Sequence, residues 1–315
     1  MTIVVHPTNG RITRDDVERH RPDAEVRQPV DAEEVGPALE AADSPRILVT
    51  NNDSWRPAYL DALGEGDWVA ATATGTDIYA TDRFADRGVT LTNMPTIYDE
   101  AVSNHAFAMA FSVARRLGDY HDNQRAGSWH REKAGMTDFA GDFCCVVGLG
   151  RIGESIAERA AAFGMTVHGV KRDVSGYTGV ADAVYPSERL VDAMDGARLA
   201  IIIVPLTEAT AGLIDEEALA ALDDEAILVN VARGPVVATD ALTAALDAGE
   251  LRTACLDVFD EEPLPADSPL WDRDDVRITP HVAGWSEKLP GRALSVFLDQ
   301  FDAHEAGEPL PHRVV

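Results

Sequence analysis

Cysteine is scarce in this 315-residue chain: Cys144, Cys145 and Cys255 are the whole complement, and the first two are adjacent inside an apolar run. Three cysteines cannot build a disulfide framework, so the pair reads as buried strand packing in a reducing compartment. Lysine is equally rare, with Lys133, Lys171 and Lys288 the only three among 27 Lys+Arg, against 54 Asp+Glu and a formal charge of −27. Such a chain repels phosphate backbones at long range, which argues against nucleic acid as a main partner. Long apolar runs are missing too. The start, MTIVVHPTNG, has neither a basic n-region nor an extended apolar stretch, and the longest aliphatic run, Leu199 to Leu206, is far short of a membrane span. The expectation is a cytoplasmic protein with no membrane association. With no CxxC or HExxH, and with histidines scattered outside any ligand spacing, no metal site is expected.

No repeat, Ser/Gly linker or low-complexity segment interrupts the chain, and 45% hydrophobic residues suffice for real cores. At roughly 100–200 residues per domain, the length points to two domains. The acidic residues are spread in short runs rather than gathered in a tail. That pattern suits a salt-rich cytoplasm, where screening shortens self-repulsion and carboxylates hold water; the competing reading is a general acidic bias of composition.

From residue 143 onward the patterning alternates. Strand candidates at 143–147, 166–170, 199–204, 226–230 and 253–258 are separated by helical-period stretches at 152–163, 187–194, 215–222 and 239–248, the rhythm of a parallel α/β sheet. Upstream, 46–50, 67–71 and 90–93 read as short strands of a smaller α/β unit. Pro95 closes one of them, and a helix is predicted from Asp99 to Leu117 on the spacing of Val102, Ala106, Met109, Val113 and Leu117. An amphipathic helix over 286–305 is predicted to return to the first domain, leaving a cleft between the two. The fold class is therefore α/β with two doubly wound parallel-sheet domains: a Rossmann dinucleotide-binding domain at 98–286, and a smaller flavodoxin-like substrate-binding domain formed by 1–97 with 287–315.

The segment FCCVVGLGRIG places Gly148, Gly150 and Gly153 between a strand and a helix. In this setting the first glycine permits a tight turn, the second lets backbone approach a pyrophosphate, and the third allows close helix–strand packing, while helix N–H groups face the phosphates. The residue ending the next strand sets cofactor choice. Here it is Lys171, followed by Arg172, and two cations at that point favour a ribose 2′-phosphate and hence NADP(H), with NAD(H) also possible. The alternative is an incidental solvated pair, with Asp173 serving the ribose.

Three further segments put a polar residue just past a strand end, where open α/β sheets bind ligands: VNVARGPVV with Arg233, LDVFDEEPLP with Glu262, and ITPHVAGWS with His281. Singly, each has a plain structural explanation: a turn arginine, a solvated glutamate, a loop histidine. Together, a cation, a carboxylate and an imidazole offer carboxylate anchoring and proton transfer. With ATGTD (73–77), GVTLTNMP (88–95), VPLTEATAGLID (204–215) and AGEPLP (306–311) in the same order, the chain resembles the NAD(P)-dependent, D-isomer-specific 2-hydroxyacid dehydrogenases over nearly its whole length.

That resemblance implies interconversion of 2-keto acids and D-2-hydroxy acids. His281 would be the acid/base, Glu262 would stabilise its imidazolium, and Arg233 would grip the substrate carboxylate with the N–H groups of Thr74 and Gly75. Arg151 and Ile152 would touch the pyrophosphate, Pro205 and Thr210 would line the cofactor cleft, and Asp257 would hold the nicotinamide carboxamide. A homodimer through the Rossmann domain is implied, with the helix from Asp99 as the interface candidate and domain closure excluding water. A formate dehydrogenase is disfavoured by Glu262, where that enzyme has Gln. Glyoxylate or hydroxypyruvate reductases and phosphoglycerate dehydrogenases remain compatible, although a chain ending at 315 is expected to lack the regulatory domains of the long forms. A dinucleotide-sensing corepressor is the alternative from a different class. Asn51 and Asn52 are read as either substrate-bordering or turn residues, and Trp285 and Tyr98 as pocket or, preferably, core.

Overall fold

The computed structural model describes residues 1–315. The chain divides into two compact units, Met1–Tyr98 with Ser286–Val315, and Asp99–Trp285. The first boundary falls one residue later than the sequence pattern suggests and the second one residue earlier. Tyr98 packs against the core of the first unit, which accounts for the first difference.

In the first unit the elements are β1 (Thr2–Val5), α1 (Arg14–His20), β2 (Glu25–Arg27), α2 (Val35–Glu40), β3 (Arg46–Thr50), β4 (Trp68–Ala71), α3 (Thr81–Arg87) and β5 (Thr90–Thr92). The strands form one parallel sheet in the order β2-β1-β3-β4-β5. Alternate residues serve opposite faces, as the period of a strand requires. Ile3, Val5, Ile47, Val49 and Trp68 face one core, whereas Val4, Leu48, Val69 and Leu91 face another with Leu39, Tyr59 and Phe84.

The second unit contains α4 (Asp99–Ala114), α5 (Leu117–Arg125), β6 (Phe143–Val147), α6 (Arg151–Ala162), β7 (Thr166–Val170), β8 (Ala183–Tyr185), α7 (Leu190–Met194), β9 (Leu199–Ile202), α8 (Glu216–Ala220), β10 (Ile227–Asn230), α9 (Thr239–Ala248), β11 (Thr253–Leu256) and β12 (Val276–Ile278). Its seven strands are all parallel, in the order β12-β11-β10-β9-β6-β7-β8. The chain then re-enters the first unit as α10 (Leu289–Ala306), whose Leu289, Ala293, Phe297 and Phe301 cover one face of that sheet. This burial is why the C-terminal segment belongs with the first 98 residues.

Four strands escape the sequence pattern. β2, β8 and β12 are partly exposed edge strands of three residues each, too short to show an alternation. β1, a buried four-residue strand at the chain start, is also absent from the sequence reading. The helix predicted to Leu117 stops at Ala114, because Arg116 adopts a left-handed backbone (φ 53°), and α5 starts a new direction. No helix is long and apolar enough to cross a membrane.

Candidate active site

The glycine turn is built as its sequence requires. Gly148 has φ +113° and a Cβ there would lie 2.6 Å from the Ile203 carbonyl oxygen; at Gly153 a Cβ would meet the Gly148 carbonyl oxygen at 1.9 Å. Gly150, the N-cap of α6, differs: a Cβ would meet nothing within 4 Å. Two glycines are therefore demanded by the chain's own packing and the third opens onto free space. The first N–H groups of α6, including those of Arg151 and Ile152, have no intrahelical acceptor, so this cradle fits a pyrophosphate. Arg151 itself is exposed and reaches Asp99 at 3.3 Å.

At the end of β7, Lys171 Nζ donates to the Leu149 carbonyl (3.1 Å) and lies 5.9 Å from the Tyr177 ring centroid, while Arg172 is exposed and forms no ion pair. Asp173 is committed to its own turn: its Oδ1 accepts from Ser175 N (2.9 Å) and Ser175 Oγ (2.5 Å), and the hydroxyl bond holds its carboxyl below the usual range. Beyond β9, Thr210 Oγ1 donates to the Pro205 carbonyl (2.6 Å) and accepts from Thr207 N (2.8 Å). The Thr210 hydroxyl thus shapes the turn that exposes Pro205.

His281 and Glu262 lie on two loops after β11 and β12. His281 Nδ1 is 2.6 Å from Glu262 Oε2, and Glu262 Oε1 accepts from Phe259 N at 3.0 Å. With a carboxylate on Nδ1, that nitrogen carries its proton, leaving Nε2 free of any partner in the chain. The two side chains remain 49% and 34% exposed, so the pair is open to a substrate. His281 adopts a left-handed backbone (φ 52°), unusual for a β-carbon residue and a recurrent mark of functional loops. Its backbone N–H donates to the Asp257 carbonyl (2.8 Å).

Arg233 is exposed, at the N-cap of a short 3-10 turn after β10, with Nη1 on the Ala232 carbonyl (2.6 Å). Gly234 next to it has no room for a side chain: a Cβ would lie 2.0 Å from Phe259 C. The Gly in NVARG is thus what lets the arginine loop press onto the loop bearing Glu262, uniting two of the predicted segments.

Asp257 has three hydrogen-bond donors within the chain. It is 1% exposed, Oδ1 accepting from Thr279 Oγ1 (2.5 Å) and Val282 N (3.0 Å), and Oδ2 from Ala283 N (2.9 Å). Its carboxylate is spent on the loop that carries His281.

In the first unit the loop after β4 has its carbonyls tied and its donors free. Asn93 Nδ2 holds the Thr74 carbonyl (2.7 Å) and Asn52 Nδ2 the Gly75 carbonyl (3.1 Å), whereas the Thr74 and Gly75 N–H groups have no acceptor in the chain. Asn51 is buried, bridging the Thr8 and Asn9 carbonyls. Tyr98 is partly buried beneath the Arg11 guanidinium, whose carbon is 5.6 Å from the ring centroid. Trp285, by contrast, is 77% exposed and does not fill core, because it sits at the end of the turn after His281 rather than on a packed element.

Comparison with known proteins accords with this geometry. Residues 107–283 match the family described as D-isomer specific 2-hydroxyacid dehydrogenase, NAD binding domain. The chain is 35% identical over 254 residues to a glyoxylate reductase of Korarchaeum cryptofilum, covering 78% of this chain and 75% of that one. It is 36% identical over 280 residues to a D-3-phosphoglycerate dehydrogenase of Mycobacterium leprae, covering 88% of this chain but 52% of that protein's length. The solved structure of a D-isomer specific 2-hydroxyacid dehydrogenase family protein from Aeromonas salmonicida superposes with a TM-score of 0.84 at 28% identity, covering 100% and 98% of the two chains. The chain belongs to the D-isomer-specific 2-hydroxyacid dehydrogenase family.

A 2-hydroxyacid dehydrogenase is an NAD(P)-dependent oxidoreductase, and the doubly wound sheets with the glycine turn supply the fold for it. The cysteines take no part. All three are buried, and burial pushes the thiols of Cys144 and Cys255 up to about 12, which removes any thiolate at neutral pH. Two residues of the dehydrogenase site region went unread in the sequence: Thr279, inside the TPH segment, and His105, on α4. The signal for His105 was its position three after Val102 and four before Met109, a polar residue on an apolar stripe.

Proposed function

We propose that this dehydrogenase reduces small 2-keto acids to D-2-hydroxy acids with a preference for NADPH over NADH. The observation that carries the reading is the 2.6 Å contact between His281 Nδ1 and Glu262, which leaves Nε2 free. A bound nicotinamide supplies or accepts the hydride at C2. In the reductive direction His281 Nε2–H gives its proton to the keto oxygen, and Glu262 stabilises the imidazolium before transfer. Arg233 pairs with the substrate carboxylate and polarises the carbonyl, and the free N–H groups of Thr74 and Gly75 are donors of the kind a carboxylate takes. Gly148, Gly150 and Gly153 with the N–H groups of Arg151 and Ile152 hold the pyrophosphate, Pro205 and the turn closed by Thr210 border the cofactor, and Asp257 acts through the His281 loop.

The cofactor preference rests on Lys171 and the unpaired Arg172, with one Asp173 oxygen already committed to Ser175. Two relatives favour short substrates: the K. cryptofilum glyoxylate reductase, and an NADPH-dependent glyoxylate/hydroxypyruvate reductase of Sinorhizobium meliloti with a TM-score of 0.79 at 26% identity. We place glyoxylate and hydroxypyruvate ahead of 3-phosphohydroxypyruvate. The enzyme is proposed to be a cytoplasmic homodimer formed through the second unit, and the excess of acid over base is proposed as adaptation to high salt. The apolar face of α4 is largely consumed within the chain, since Val102, Ala106, Phe107, Met109, Ala110 and Val113 are buried, so the exposed Leu117 and Trp129 beyond it are better interface candidates. A corepressor-like sensor is not favoured, because the matched relatives named above are reductases and dehydrogenases.

The test is absorbance at 340 nm in molar KCl with these three keto acids and both cofactors. Turnover of glyoxylate or hydroxypyruvate with NADPH supports the reading, and cofactor binding without turnover of any keto acid defeats it. Replacing Lys171 and Arg172 with Ala should lower kcat/KM for NADPH about 10- to 100-fold and spare NADH, the loss of charge-assisted phosphate bonds.

A further inference from the structure

His105 projects from α4 toward the turn that bears His281. Its Nε2 is 3.0 Å from Thr279 Oγ1 and 3.5 Å from Asp257 Oδ1, and its side chain is 21% exposed. The donors in this chain can be assigned. A carboxylate only accepts, so at 2.5 Å the Thr279 hydroxyl spends its single proton on Asp257. The contact with His105 must then run the other way, with Nε2–H donating to the Thr279 oxygen. His105 therefore carries its proton on Nε2, and Thr279 is held from both sides.

What hangs on this arrangement is the conformation of His281. Asp257 takes the Thr279 hydroxyl and the N–H groups of Val282 and Ala283 on its carboxylate, and the N–H of His281 on its carbonyl. Four of the five residues from 279 to 283 are thereby pinned to one buried aspartate, and one of the four, His281, is the residue with φ 52°. A left-handed histidine persists only where its surroundings over-determine it. His105 adds a fixed point to that network from a sixteen-residue helix, α4, whose Val102 and Met109 on the same stripe are buried.

We infer that His105 is a positioning residue for proton transfer. Through Thr279 and Asp257 it holds the Thr279–Ala283 turn so that His281 keeps Glu262 on Nδ1 and presents Nε2. The inference rests on the reading of His281 as the proton donor.

The experiment compares His105→Ala, His105→Gln, Thr279→Val and the His105→Ala/Thr279→Val double variant, with hydroxypyruvate and NADPH. It records kcat, KM, Tm, the NADPH Kd by fluorescence, and the isotope effect with NADPH deuterated at the transferred C4 position. For His105→Ala, kcat should fall about 10- to 100-fold while KM and the NADPH Kd stay within about threefold, as expected for a misplaced reacting group. The isotope effect on kcat should rise as chemistry becomes slower. His105→Gln should recover most of the rate, since its amide N–H can still donate to Thr279. The double variant should be no slower than the slower single variant, because both act along one path.

Unchanged kcat in His105→Ala, multiplicative losses in the double variant, or a fall in kcat that tracks Tm with an unchanged isotope effect would each overturn the inference. A His281→Ala control separates the two levels: its full turnover would remove the proton-donor reading, whereas an inactive control beside a fully active His105→Ala enzyme removes only the role of His105.

Discussion

Each unit of this dehydrogenase has a buried aspartate at a strand end, and the two do opposite work. Asp67 immediately precedes β4 and accepts from Arg46 N (2.7 Å), Arg46 Nε (3.0 Å) and Nη2 (2.6 Å), Gly64 N (2.9 Å) and Ser44 Oγ (3.2 Å). Asp257 immediately follows β11 and accepts from three donors of the turn around His281. Both are nearly inaccessible and both are satisfied. The difference is which end of a parallel sheet they occupy. At the amino end the donors are a neighbouring strand and its turn, so the carboxylate stabilises the sheet. At the carboxyl end, where helix N-termini and loops converge on ligands, the same residue type orders the turn that carries His281.

The largest effect that sharpens this contrast is on turnover. His281→Ala should lower kcat about 10³-fold, within the usual range for a general acid/base, with Tm nearly unchanged because the side chain is half exposed. Glu262→Gln should lose less, since the amide still orients the ring but no longer offsets its charge. A comparable loss of Tm in either variant would erase the distinction between the two sheet ends.

Asp67→Ala should show the reverse. Leaving Arg46 without its buried partner costs about 3–5 kcal/mol, read as a lowered urea midpoint, while kcat per folded molecule stays at the wild-type value. A kcat loss at full folding would place Asp67 in the catalytic apparatus and break the comparison.

The smallest effect concerns acid. His6 and His304 of the first unit are both held below the ordinary histidine value of 6.5, His6 chiefly by burial and then by the Arg56 charge, His304 chiefly by burial. At His6 the bonding is that of a neutral ring: Nδ1 accepts from Thr8 N (3.2 Å), so Nε2 donates to the Tyr59 hydroxyl (3.1 Å). Because the native state disfavours the proton, the unfolded state binds more of it between the depressed value and 6.5. The stabilisation is complete above about 6.5 and drains as pH falls below it. Urea midpoints from pH 7.5 down to 5 should decline, and His6→Gln, which keeps polar contacts without titrating, should flatten part of that slope. An unchanged slope in this variant would remove His6 from the account.

Legibility in the sequence followed burial. β6, β7, β10 and β11 lie inside their sheet, are mostly buried and dominated by apolar residues, and match the sequence pattern to within a residue or two. The edge strands β2, β8 and β12 do not, since half-exposed three-residue strands have no periodicity to read. At the site, Arg233, Glu262 and His281 stood out because each follows a strand and adjoins a Gly or Pro. Asp257 stood out as an aspartate at a strand end, while its engagement by residues 279, 282 and 283 depends on β11 and β12 lying side by side. The polar break that His105 makes in the apolar stripe of α4 is legible, but its partner is not, being 174 residues away.

Composition, strand and helix periods, the glycine turn and the order of short motifs were enough to assign the family, the two parallel-sheet units and the chemistry class, because these follow from local backbone needs and from residue types that recur at strand ends. Pairing at a distance was not accessible that way. Which oxygen of Glu262 meets His281, why His281 is left-handed, and how a histidine on α4 reaches the turn that holds it all depend on sheet register and helix packing, and hydrogen bonds of about 3 Å between segments far apart in the chain exist only after the sheet has closed.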